Sequence, residues 1–113
     1  MTVQLSTALR NSLLDQYEAF IGTSAILKIR SGTQPATPET ADSGTVLATF
    51  NLPSDWMAAA AAASKAKAGT WQDASADATG TPGHYRLYAS DGVTCHDQGT
   101  VTATGGGGDM TVD

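Results

Sequence analysis

The run His84-Tyr85-Arg86-Leu87-Tyr88-Ala89, followed by Ser90-Asp91-Gly92 and then by Val93-Thr94-Cys95-His96, decides how this chain folds. Its flanks are rich in aromatic and aliphatic residues that suit a pleated, half-buried surface, and Asp91-Gly92 supplies the positive φ angles a tight turn demands. Two antiparallel strands are predicted, with Cys95 facing inward and His96 outward. A further turn at Asp97-Gln98-Gly99 and an alternating strand from Thr100 to Thr104 complete the expected meander.

Upstream, two more segments alternate with period two. Ala25, Leu27 and Ile29 oppose Ile26, Lys28 and Arg30 in a strand that ends at Ser31-Gly32. Val46, Ala48, Phe50 and Leu52 oppose Thr45, Leu47, Thr49 and Asn51 in another, which Pro53 ends. Residues 32–44 between them hold Pro35 and Pro38 and no aliphatic larger than Ala, so they are expected to bury little and to project, as a contact loop or a solvated connector. Pro53 to Trp56 has the form of a helix start, with Ser54 or Asp55 as cap, and leads into six alanines, Ala58 to Ala63. Alanine favours helix but presents almost nothing to bury, so only a short helical turn near Trp56 is predicted. The stretch Ser64 to Trp71 is expected to extend, pair with another strand and carry Trp71 into the core. Residues 73–83 are expected to form a second exposed loop.

The N-terminal segment differs in period. Leu9, Leu13, Tyr17 and Phe20 recur at spacings of four, four and three, which predicts a helix over 6–21 with Ile21 beside the apolar stripe. Ser6 or Thr7 serves as cap and Gly22 as terminator. Asn11, Asp15 and Glu18 fall on the far side, so the helix is read as having one wet face and one sticky face. Two destinations are open to the sticky face: the protein's own sheet or a neighbouring subunit.

Together these elements predict one domain over 1–113: an N-terminal helix, a β-rich body over 25–104, and a Gly-rich segment with a terminal strand over 105–113. The fold class is mainly β with an N-terminal α-helix, a small antiparallel β-sandwich or partly open barrel. The glycines Gly105 to Gly108 are costly to order. Asp109 to Asp113 starts an alternating strand with only two apolar residues, which pairs with an edge of this domain or of a neighbouring subunit or continues in a longer natural chain, the expectation favouring the last two.

Composition narrows the function. Alanine, threonine and glycine fill 47 of 113 positions and only seven residues are aromatic, so the core is thin. A net charge of −5 with six scattered basic residues cannot build the positive footprint that phosphate backbones require, which argues against nucleic acid. The N-terminus has no basic n-region followed by an apolar stretch, and no run reaches the ~18 apolar residues of a membrane span. The expectation is an unprocessed product of the cytoplasm with no membrane partner. Cys95 is the only cysteine, so no disulfide can form within the chain.

No motif has catalytic strength. Cys95 and His96 are adjacent in a strand and point to opposite faces, which prevents them from sharing a metal ion. Asp73, Ser75, Asp77 and Thr79 have the alternation of a calcium loop, but Ala78 and His84 stand where such a loop has Gly and Glu. Ser90, His84 and Asp91 could be drawn as a triad without the strand-turn-helix that would expose the serine. The run 105–108 lacks the Lys-Ser/Thr pair of a phosphate cradle. The expectation is a protein that is not an enzyme and carries no cofactor or metal. Trp56, Trp71, Tyr85 and Tyr88 are the residues available for a sugar-binding platform.

The segments Leu5 to Asn11, Ile21 to Ser24, Leu47 to Met57, Gly69 to Trp71, Gly83 to Tyr88 and Gly99 to Met110 resemble, in wording and order, a family of small virion structural proteins of tailed bacteriophages. The resemblance spans most of the chain and implies an accessory virion protein, foremost a capsid decoration or cement protein that stabilises the shell through contacts between subunits. A head-tail adaptor or tail accessory protein is the alternative, and a glycan-binding module of the virion a second one. The implied partners are major capsid or tail proteins of the same particle and further copies of this chain. On that reading the expected assembly contacts are Leu9, Leu13 and Tyr17 on the helix, Pro35 and Pro38 in the loop, and Met110 near the C-terminus.

Overall fold

In a computed structural model that describes residues 2–112, helix α1 (Thr7–Ile21) precedes five strands: β1 (Ile26–Ser31), β2 (Val46–Asn51), β3 (Pro82–Tyr88), β4 (Cys95–Ala103) and β5 (Met110–Val112). They form one sheet in the order β2-β1-β3-β4-β5, antiparallel except for the last pair. The sheet curls into a half-barrel, so the partly open barrel is the form adopted, and among the described residues no second sheet forms to make a sandwich.

Register separates two unlike faces. Leu27 lies opposite Leu87 and Phe50, and this side carries the apolar core of Ile21, Ala25, Leu27, Leu52, Trp56 and Leu87. Trp56 is 1% exposed, and its indole N–H donates to the Gly22 carbonyl at 2.8 Å, which removes the cost of burying an unpaired donor. The other face places Ile26, Lys28 and Arg30 opposite Tyr88, Arg86 and His84. Arg86, His84 and Tyr88 are fully buried there although they are polar.

Residues 32–44 cover this polar face, contrary to the expectation of a projecting loop. The Arg86 guanidinium donates to the carbonyls of Pro38 at 2.6 Å, Thr40 at 3.0 Å and Thr37 at 3.4 Å, and to the Asp42 carboxylate. Arg30 and the Tyr88 hydroxyl also donate to Asp42, at 3.0 and 2.7 Å. The loop has little apolar surface, but its backbone carbonyls and Asp42 accept from the terminal nitrogens of both arginines, leaving Arg86 Nε without a hydrogen-bond partner among the described residues. Gly44 closes the loop at φ +74°, where an added Cβ would fall 2.0 Å from the Ser31 carbonyl oxygen.

Two further expectations are corrected, and an open one is decided. No helical turn forms at Trp56; Met57 pairs with Lys67 and Ala61 with Ser64, making an alanine hairpin whose two-residue tip, Ala62-Ala63, has φ +50° and +58°. Backbone pairing across the hairpin outweighs helix propensity because an alanine helix has no side chain to anchor it. Nor is there a turn at 97–99: β4 runs straight through, pairing Asp97 with Leu87, Gln98 with Arg86 and Gly99 with Tyr85. Gly99 sits where a Cβ would lie 2.7 Å from the Tyr85 ring, so its role is close packing within a strand. Finally, β5 pairs in parallel with β4 of the same chain, Val101 opposite Met110. The six-residue crossover is held by Thr100 and Thr102: Asp109 accepts from the Thr100 N–H and hydroxyl, and Gly108 N–H donates to Thr102 Oγ1, each at 3.0 Å.

Candidate assembly surface

Helix α1 forms where its spacing predicts, but it is docked by the opposite face. Ser6 caps it by accepting from Leu9 N–H at 3.1 Å, and Gly22, at φ +95°, ends it. Asn11, Asp15 and Glu18, expected to face water, instead accept from the backbone N–H groups of Ala63, Ala60 and Met57 at 2.8–2.9 Å. These N–H groups lie along the alanine hairpin, whose small side chains leave its backbone open to approach. Three side chains on one row of a helix thus pair with the edge of a strand that would otherwise be left unsatisfied.

Lys65 completes the dock. Its ammonium lies 2.8 Å from Asp15 and 3.3 Å from Glu18, donates to the Ala58 carbonyl, and its side chain is only 4% exposed. Its hydrogen bond to Lys65, supported by the Ala60 N–H, holds the Asp15 carboxyl below its ordinary range, and Asp15 in turn raises Lys65.

Tyr17 belongs to both sides. Its hydroxyl donates to Asp97 at 2.6 Å, and its ring meets Trp56 edge-on at a centroid distance of 6.1 Å. Burial, then the bond to Asp97, raises its pKa far above that of a free phenol. Tyr17 is therefore first an internal tie from α1 to β4, with part of its ring left accessible.

The remaining apolar row faces outward. Leu9 is 45%, Leu13 56% and Phe20 69% exposed, and Leu5 and Val3 continue the patch beyond the helix start. Phe20 leans edge-on against His96 at 5.1 Å, with no other aromatic partner among the described residues. A continuous apolar row in water is costly for an isolated chain, and such patches mark interaction sites. Both acidic residues of the helix, Asp15 and Glu18, point toward the alanine hairpin and Lys65, although Asp15 stays about half exposed at the edge of that contact, so Arg10 is the only charge on the outer side of α1.

The other expected contacts are less accessible. Pro35 is buried beneath its loop, where its carbonyl accepts from Gln98, and Pro38 is half-buried with its carbonyl on Arg86. Met110 is half-buried against the core and lines a cleft of about 660 Å³ with Trp71, Phe50 and Leu27.

The constellations that could carry chemistry are dispersed. His84 is buried with Nδ1 at 3.0 Å from the Gly32 carbonyl, whereas Asp91 caps the β3–β4 turn through the N–H groups of Val93 and Thr94. Ser90 lies at that turn, so the triad is not assembled. Asp73 accepts from Thr49 N–H at 2.9 Å and Asp77 from the Thr49 hydroxyl at 2.7 Å; both carboxylates cap the outer edge of β2. No group of three metal-ligating side chains occurs among the described residues. Of the aromatics considered for a sugar platform, Tyr88 and Trp56 are buried, Tyr85 is half-buried with its hydroxyl on Asp97, and Trp71 borders the Met110 cleft.

Sequence reasoning missed the inward role of Asn11, Asp15 and Glu18. The available signal was the combination of a polar helix row and a side-chain-poor alanine run able to receive it. No protein-family model matches the chain, and no curated protein or solved structure is similar to it at a significant level.

Proposed function

We propose that this chain is an accessory structural protein of a tailed-bacteriophage virion, of the decoration or cement type, and that the outward row of α1 is an assembly surface. The observation that carries the reading is the inversion of the helix: Asn11, Asp15 and Glu18 are used internally, while Leu9, Leu13 and Phe20 are left in water. An acidic domain with a thin core and an uncharged apolar stripe gains stability by burying that stripe in an assembly. The resemblance of its segments to small virion proteins supplies the setting.

Quantitative immunoblotting of purified virus particles, with intact-particle imaging, tests this reading. A copy number on the order of hundreds supports attachment to the shell, whereas roughly six to a few dozen supports a neck or tail position, since closed symmetry sets the number of equivalent sites. Absence of the chain from particles produced in cells that express it overturns the proposal.

A further inference from the structure

We infer that the outward row of α1 is covered by a second copy of this chain, the two helices packing antiparallel about a two-fold axis beside Leu13. The inference rests on the reading of that row as an assembly surface and names its occupant. An isologous contact requires that if residue i of one copy meets j of the other, then j meets i. Within the helix the centre of the row meets this requirement about Leu13, with Leu9 four residues before it and Tyr17 four after; Phe20, seven after, falls opposite Ser6 at the helix cap. In the antiparallel pair Leu13 meets its own counterpart and Leu9 meets Tyr17. At the cap end lies the crevice lined by Val3, Gln4, Leu5 and Arg10, where the guanidinium can lie against the Phe20 ring.

Size and charge point the same way. Val3, Leu5, Leu9, Leu13, Tyr17 and Phe20 are between 37% and 87% exposed. At ~150–200 Å² for a fully exposed large side chain they leave on the order of 500 Å² in water, at the top of the range for an ordinary monomer patch. Arg10, Ser12, Gln16 and His96 rim the row and extend it toward the ~800 Å² that each partner contributes to a specific interface. The chain carries net charge −5, so copies repel over most of their surface, but α1 turns Asp15 and Glu18 inward and presents no acid where the copies would meet.

Analytical ultracentrifugation of the isolated chain at about 100 µM, above the micromolar range in which modest interfaces associate, provides the test. The expected mass is twice the 11.5 kDa of one chain for the wild type and 11.5 kDa for Leu13→Asp, with an unchanged circular-dichroism spectrum because Leu13 is 56% exposed and lies outside the core cluster. In a Cys95→Ser background, Leu13→Cys should form an interchain disulfide under mild oxidation, whereas Thr79→Cys, exposed on the 73–83 loop, should not. A wild-type monomer at that concentration, or a dimer that Leu13→Asp leaves intact, overturns the inference. Because the isolated chain is measured, this result is independent of whether the protein is found on particles.

Discussion

Lys65 Nζ lies 2.8 Å from Asp15 Oδ1, joining the alanine hairpin to the helix across fifty residues of sequence. This contact turns the polar row of α1 inward, and through that rotation it exposes Leu9, Leu13 and Phe20. The proposed assembly surface thus lies on the side of the helix opposite this ion pair.

Replacing Lys65 with Met is expected to loosen α1 while leaving the sheet intact. Hydrogen exchange should quicken for amides of α1 and of residues 57–63, with little change in β1 and β3. The pH window follows from the two shifts. Asp15 is lowered from 3.8, so its contribution is complete above that value and declines as pH falls through the folded pKa. Lys65 is raised from 10.5, so its contribution is complete below that value and declines as pH rises through the folded pKa. Protection of α1 in the wild type should therefore be level between those limits and fall outside them; a decline near neutral pH would contradict the assignment.

Asp42 is the common acceptor of Arg30, Arg86 and Tyr88, and Asp42→Ala leaves two buried guanidiniums without their counter-charge. Breaking a fully buried pair costs about 3–5 kcal/mol; with the Asp42 side chain 38% exposed, about 2–3 kcal/mol is expected from urea unfolding. Asp42→Asn should lose less, since its amide oxygen still accepts. Partial burial raises the carboxyl pKa, but the Tyr88 hydroxyl, Arg30 and Arg86 outweigh it and hold the carboxyl below 3.8. The contribution is complete above that pH and lost below it, so loop 32–44 should become accessible to protease only in acid.

Ala62 and Ala63 occupy positive φ at the hairpin tip, a conformation that costs an alanine about 1 kcal/mol or more. Ala62→Asn with Ala63→Gly supplies residues suited to such a turn and should stabilise the chain by about 1–2 kcal/mol. An unchanged or lower unfolding midpoint would show that the tip does not adopt this turn in solution.

Gly44→Ala should have the opposite effect. Its φ of +74° disfavours any side chain, and the new Cβ would collide with the Ser31 carbonyl. A loss of about 1–3 kcal/mol is expected in chemical unfolding, with release of the loop over the polar face.

All three tyrosines should resist alkaline ionisation. Burial, then a neighbouring aspartate, pushes Tyr85 and Tyr88 up to about 12, and Tyr17 is raised further still. Raised folded pKa values mean that this stability is complete below pH 10 and lost as pH climbs through the folded values. Ultraviolet titration should show little phenolate at pH 10 in the native protein and substantial phenolate in urea at the same pH.

Local pattern was enough to read the helix and, to within a few residues, β1, β2, β3 and β5, while β4 was read as two shorter strands. Such features are encoded locally: period four with a serine cap makes α1, period two makes β1 and β2, and Asp91-Gly92 turns β3 toward β4. Tertiary structure decided which faces were buried. Periodicity states which residues share a side and says nothing about what that side will meet, so the row of Asn11, Asp15 and Glu18 looked solvated until the alanine ribbon and Lys65 came to cover it. The same reason hid the fate of residues 32–44, because carbonyl groups have no side-chain signature and only Arg86, more than forty residues away, gave them a partner.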